Sequence, residues 1–420
     1  MRLFVILALL LAFVATPVFA TEPLTLDEAL ATALEHHPLA AEAQENVNAA
    51  EARIGQARAG YFPQVSGTAD GANARSYFPT LGDTKRADVY TVALSVKQTL
   101  WDFGRTAGGT EAARANRSAA AETLTLTRQD LAFRVKAAYY LLLGTEKEVA
   151  ATEATLKVRD DLYRQAQAFF EQGVRSKVDV AKAEANLFSA KTSLLQAQNN
   201  RDLARVELAN AMGLPSLDGR GLAGVSVQPA AAPGLAELQQ QAYANRGELK
   251  RLDAFRAAGE GNLKTVRSEF LPTISASASY GHAGDALLPD RNVWSVGANL
   301  TVPIFSGFST VMKERESRAS LRALAAEVQN ERLVVAKDVE AAWLASREAS
   351  ARIASTGKEV DAAKETQTLA LERYREGVGS LIEVTDAQAQ ALSADTANIR
   401  AMFDYLLALA RLDRAAGRKP

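Results

Sequence analysis

The stretch Phe170-Glu171-Gln172-Gly173-Val174-Arg175-Ser176-Lys177-Val178-Asp179-Val180 is answered, 204 positions later, by Tyr374-Arg375-Glu376-Gly377-Val378-Gly379-Ser380-Leu381-Ile382-Glu383-Val384. Each copy carries a glycine followed three residues on by a serine. Glycine supplies the left-handed cap that lets a helix reverse, and Ser176 and Ser380 are placed to cap the returning helix. Each copy is therefore the tip of an antiparallel helical hairpin. Going outward at the same offset, Val135, Ala137, Ala138 and Tyr139 fall on Val339, Ala341, Ala342 and Trp343. Leu100-Trp101-Asp102 falls on Ile304-Phe305-Ser306, and with a small drift Tyr61-Phe62-Pro63-Gln64-Val65-Ser66 falls on Phe270-Leu271-Pro272-Thr273-Ile274-Ser275. One unit of roughly two hundred residues has been duplicated.

Before each tip the chain runs without proline, from Gly104 to Phe170 and from Ser309 to Tyr374. Leu131, Val135, Ala138 and Leu142 repeat there at helical spacing. At about 1.5 Å per residue each run predicts a helix on the order of 100 Å long. The returning helices are expected to reach about Ala211 and Arg414. Earlier in each repeat, Leu24 to Gly60 and Leu235 to Glu269 read as helix, broken at Pro38 and at Gly247, with Thr25 and Glu28 forming a capping box. Pro63 and Pro272 then mark the change to extended chain.

Strand patterning of period two follows each of those prolines. Tyr90, Val92, Leu94 and Val96 alternate with Thr91, Ala93, Ser95 and Lys97, and Trp294, Val296, Ala298, Leu300 and Val302 alternate with Ser295, Gly297, Asn299 and Thr301. The partner strands are Ile274 to Gly281 and, least regular, Val65 to Arg75. Turn-rich segments at 78–83 and 286–290 make two hairpins, one per repeat. The resulting organisation is a signal segment 1–20, a first repeat 21–213, a connector 214–234, a second repeat 235–414 and a polar tail 415–420. The fold class is α+β, mainly α, with two tandem repeats, each a β-hairpin plus very long helices.

Arg2, the apolar run Leu3 to Val14 and the small residues up to Ala20 form an export signal with cleavage expected after Ala20. No later stretch is apolar enough for a transmembrane helix. There is no cysteine, which excludes disulfides, thiolate metal sites and a lipid-bearing N-terminal cysteine. With 48 basic and 49 acidic residues, nothing in the charge balance points to nucleic acid. His36, His37 and His282 lack a third ligand at metal spacing, and no phosphate loop or catalytic triad is present. No cofactor, metal or enzymatic activity is expected.

Four strands with one apolar face leave open edges that lipid does not tolerate. In a bilayer closure has to come from other copies, and three copies, with twelve strands, are the smallest solution that leaves a channel; the alternation alone also fits a water-soluble sandwich or a hairpin packed on helices. In that arrangement Trp294, Val296, Leu300, Tyr90, Val92 and Leu94 face lipid, while Ser275, Ser277, Ser279, Asn299 and Thr301 line water. Trp101, Phe103, Phe305 and Phe308 sit where strand meets helix, as an interfacial aromatic collar or as corner packing.

The duplication, the Leu-Trp-Asp-Phe-Gly and Pro-Ile-Phe-Ser-Gly elements after the second strand of each repeat, and the Gly-Val-x-Ser-x-x-(Asp/Glu)-Val tips resemble the TolC-type outer-membrane efflux proteins over nearly the whole chain. The resemblance implies a homotrimer with a twelve-stranded barrel in the bacterial outer membrane, continued by an α-helical barrel across the periplasm. It implies a conduit for small molecules or proteins, partnered by a periplasmic adaptor and an inner-membrane transporter, in efflux or type I secretion. It assigns Glu383 and Asp386 to a ring at the periplasmic entrance, and Tyr374 and Asp179 to a lock between tips. The arginine of that lock corresponds to Gly379 here, and Arg175, at the equivalent place in the first repeat, is the expected substitute. Gly173, Val174, Gly377 and Val378 match the adaptor-contact turns. The alternative is an exported coiled-coil structural or adaptor protein with a small β module.

Overall fold

The computed structural model describes residues 22–78, 80, 82–217, 219–229 and 233–418; the export-signal segment 1–20 lies outside them. The helices are α1 (Leu26–His36), α2 (Pro38–Arg58), α3 (Arg105–Glu171), α4 (Lys177–Ala211), α5 (Leu235–Asn245), α6 (Gly247–Ser268), α7 (Ser309–Arg375) and α8 (Leu381–Ala415). The strands are β1 (Gln64–Phe78), β2 (Asp83–Trp101), β3 (Thr273–Gly284) and β4 (Arg291–Thr301), and a single 3-10 turn, Ala59–Tyr61, precedes β1. Pro38 and Gly247 open α2 and α6, as expected from their helix-breaking character. The long helices α3 and α7 each contain 67 residues and run unbroken past Gly144 and Gly357. None of the described helices is apolar enough to cross a membrane.

The described residues divide into two compact units, and each unit takes chain from both repeats. The first consists of the described part of Met1–Glu35, Arg134–Pro229 and Ala351–Leu407. Its core joins Leu162 and Ala166 of α3, Ala183 of α4, Ala370 and Tyr374 of α7, and Leu381, Val384 and Ala387 of α8. Alanines at these positions let the helix backbones approach closely. The connector is packed in the same unit: Leu24 bridges Leu222, and the Tyr139 hydroxyl lies within 2.8 Å and 2.7 Å of the Leu24 and Ala223 carbonyls. Thr25 accepts the Glu28 N–H at 3.2 Å, as a capping residue should. The Glu28 carboxylate is taken by Arg220, at 2.7 and 2.9 Å, and that bond holds its pKa below the ordinary value.

The second unit consists of His36–Phe133, Ala230–Ser350 and Ala408–Pro420, so far as they are described. One core cluster gathers Leu238, Ala242 and Leu249 with Val335, Val339, Leu412, Ala415 and Ala416. Residues 416–418, read from sequence as a polar tail, are therefore packed: Ala416 is fully buried and the Arg418 carbonyl accepts from Gln129. Arg246 lies 3.0 Å from Glu248 and 3.4 Å from Asp338 and donates to the Ala415 carbonyl at 3.5 Å.

The sheet belongs to this second unit. All four strands are antiparallel in the order β1-β2-β3-β4, so the two hairpins join through β2 and β3 into one sheet with β1 and β4 at its edges. β1 and β2 are longer than the alternation suggested. Glycine and polar residues at 67–75 keep strand geometry because β2 pairs with them throughout. A bulge between Thr99 and Trp101 shifts the register of β2 against β3 before their last pair, Trp101 with Ile274.

Candidate functional site

The two helical-hairpin tips lie within the first unit and share one backbone design. Gly173 and Gly377 adopt φ of +73° and +79°, the left-handed region that a side chain disfavours. The Val174 N–H reaches the Phe169 carbonyl at 2.9 Å, and the Val378 N–H reaches the Arg373 carbonyl at 3.1 Å. The glycine N–H groups bond to Phe170 and Tyr374 at 2.9 and 3.1 Å. This is the Schellman closure, and it leaves Val174 61% and Val378 70% exposed at the apex.

The side chains differ where the backbones agree. Ser380 caps α8 by accepting the Glu383 N–H at 3.2 Å. Ser176 holds the corresponding position before α4 but makes no such bond; its hydroxyl is 3.3 Å from Asp179 Oδ2. The expected cap at Ser176 is thus diverted to a neighbouring carboxylate.

Arg175 reaches across to the second tip. Its Nη2 donates to the Gly379 carbonyl at 2.9 Å and to the Gly377 carbonyl at 3.3 Å, and its guanidinium lies 5.3 Å from the centre of the Tyr374 ring. Gly379 itself packs tightly against the end of α7: a Cβ there would stand 3.0 Å from the Arg373 backbone and from Tyr374 N. The position that lacks an arginine side chain thus serves as the acceptor for the arginine of the other repeat.

Tyr374 is fully buried beside Phe169, 6.1 Å between ring centres. Its hydroxyl finds no hydrogen-bond partner among the described residues, so within one chain it is not bonded to Asp179. Burial pushes the phenol pKa up; the Arg175 charge opposes that and the Asp179 charge adds to it. Glu383 and Asp386 stand one turn apart on the exposed face of α8. Arg373 approaches Glu383 at 3.9 Å. Gln388, one turn beyond Val384, is 2% exposed with both amide atoms unpartnered; no sequence signal singled it out.

The sheet segregates its two faces row by row. Ser66 pairs with Ser95, Ser95 with Ser279 and Ser279 with Ser295, so one row of serines crosses all four strands. The hydroxyls of Ser66 and Ser95 are 2.8 Å apart, and those of Ser279 and Ser295 are 2.9 Å apart. On the other face, Val65, Val96, Ala278 and Val296 make a row, and Leu94, Tyr280 and Trp294 make the next. Val92, Leu94, Trp294, Val296 and Leu300 are all more than half exposed. Tyr90 is half-buried. At the strand-to-helix corners, Asp102 accepts from the N–H groups of Gly104 and Thr106 at 3.0 and 2.8 Å, starting α3. Phe103 and Phe308 have φ of +51° and +65°, a conformation that bulky side chains rarely adopt, and each meets a neighbouring aromatic edge-on. His37 Nδ1 accepts the Leu39 N–H as the cap of α2, and no group of metal-binding side chains occurs among the described residues.

The model of the family described as outer membrane efflux protein matches residues 29–214 and 238–418. The chain belongs to that family. Its members are outer-membrane channel proteins, which places the chain in the outer membrane as an efflux or secretion channel. It is 26% identical over 407 residues to the outer membrane efflux protein BepC of Brucella suis, covering 94% of this chain and 85% of that one. It is 28% identical over 390 residues to protein CyaE of Bordetella pertussis, covering 90% and 81%. Among solved structures, the outer-membrane channel OprN superposes with a TM-score of 0.81 at 21% identity, over 93% of this chain and 89% of that one. The coiled-coil adaptor alternative is not favoured, since the family match spans both repeats.

Proposed function

We propose that three copies of the chain assemble into the outer-membrane conduit of a tripartite efflux or type I secretion system. The carrying observation is a four-stranded sheet with an exposed apolar face, a serine-rich opposite face and two edges, β1 and β4, that no strand among the described residues pairs. In lipid each open edge leaves polar groups unsatisfied at several kcal/mol apiece. Pairing β1 of one copy with β4 of the next removes every edge and gives twelve strands. The apolar rows then face lipid and the serine row faces water. The helices continue as a periplasmic tunnel wall with the hairpin tips at its entrance.

At that entrance, Glu383 and Asp386 from three copies set six carboxylates round one aperture. Such a ring draws cations in and holds its members apart. Val174 and Val378, projecting at the turns of Gly173 and Gly377, offer the apolar contact to a periplasmic adaptor, whose inner-membrane transporter supplies the energy.

The test is native mass in detergent together with conductance across a planar bilayer. Three chains per particle and cation-blocked conductance are expected, with the block weakened about tenfold in the E383Q/D386N double variant. A monomer with no conductance would overturn the conduit, and unchanged block in the double variant would remove the two acids from the aperture.

A further inference from the structure

The first hairpin extends beyond the second. Pairing of β2 with β3 stops at Tyr90 and Gly284, whereas β1 and β2 remain paired as far as Phe78 and Asp83. Residues 83–89 thus have no third strand of this chain beside them. In this extension Arg75 and Arg86 are direct cross-strand partners. By the period-two rule they lie on the same face as Tyr90, Val92, Leu94 and Val96, the apolar face.

Two like charges directly opposite one another destabilise a strand pair unless something neutralises them. Neither guanidinium meets a carboxylate among the described residues. Arg75 Nε donates to Thr84 Oγ1 at 3.1 Å and Arg86 Nε to Asn73 Oδ1 at 2.7 Å. These bonds hold both forks at their inner nitrogens, and no partner among the described residues engages the outer ones. Asp88, one row closer to Tyr90, is engaged by the Asn73 amide. The arginine row lies four residues past Tyr90, about 13 Å along the strand and about 10 Å along the membrane normal at ordinary barrel tilt. That is the depth of the headgroup layer above an apolar band.

We infer that Arg75 and Arg86 form a clamp for the phosphate of an anionic headgroup in the outer leaflet. The guanidinium fork matches phosphate oxygens two at a time, and one phosphate between two arginines removes their repulsion. The outward aim of the pair rests on the barrel reading above.

The experiment reconstitutes the full chain into phosphatidylcholine vesicles containing diphosphoryl lipid A, or the same lipid stripped of its phosphates. Lipid retained per chain after detergent release is counted by native mass spectrometry, with bilayer conductance recorded in parallel. Wild type is expected to keep the phosphorylated lipid, and R75Q/R86Q to keep about tenfold less at unchanged conductance. R75K, which keeps the charge and loses the fork, is expected to fall between them. Added inorganic phosphate should leave retention intact; its displacing the lipid would show a free-anion site and overturn the headgroup assignment. Equal retention by wild type and R75Q/R86Q, or of both lipids by wild type, would overturn the clamp while conductance leaves the channel standing. Loss of conductance in wild type would instead strike the barrel reading itself.

Discussion

The turn between α3 and α4 and the turn between α7 and α8 have the same backbone and opposite side-chain assignments. Both close by the same pair of hydrogen bonds around a left-handed glycine. The first tip gives its arginine away, to two carbonyls and an aromatic ring of the second, and spends its serine on Asp179. The second tip receives that arginine, keeps its serine as a helix cap and presents two exposed acids. Duplication supplied a common scaffold, and divergence at a handful of positions turned one copy into donor and the other into acceptor.

That asymmetry can be broken most severely at Arg175. Arg175→Ala removes two charge-assisted hydrogen bonds and the cation–ring contact, together worth about 2–3 kcal/mol. Amide exchange across residues 377–384 is expected to accelerate about 30- to 150-fold, while the fold elsewhere is unchanged. Exchange at the wild-type rate would show that the tips are joined by other contacts.

The serines sharpen the comparison at smaller cost. Ser380→Ala should lose about 1 kcal/mol of local stability at the start of α8, seen as faster exchange of the Glu383 amide. Ser176→Ala should lose only a few tenths, since no cap bond is there to lose. Equal effects would mean that the two tips cap alike. Smallest of all is Tyr374→Phe. The hydroxyl it removes is buried and unpartnered, so thermal unfolding is expected to be unchanged or slightly raised. A loss of about 1 kcal/mol or more would show that a neighbouring copy provides the missing acceptor.

Much of this was legible in the sequence because it depends on local rules. Pro38 and Gly247 break helices through backbone chemistry, the proline-free runs carry the long helices, and the Gly-Val-x-Ser spacing encodes a turn. The equivalence of Arg175 to Gly379 was also readable, while the carbonyls and the ring that receive the arginine were not. What was not readable depended on partners distant in the chain. The diversion of Ser176 to Asp179, the burial of Gln388 and the packing of residues 416–418 leave no periodic trace. Nor does the extension of β1 through a glycine-containing stretch, which holds strand geometry because β2 lies beside it.

The sequence by itself determined the duplicated unit, the alternating faces of the strands and the reversals at Gly173 and Gly377, since each follows from side-chain period or backbone freedom over a few residues. Only the tertiary structure decided that two hairpins share one sheet, that a serine row runs across all four strands, and that the arginine of one repeat closes the tip of the other. Those outcomes depend on register and on contacts about two hundred residues apart, where small differences in distance and burial select one partner among many of equal chemistry.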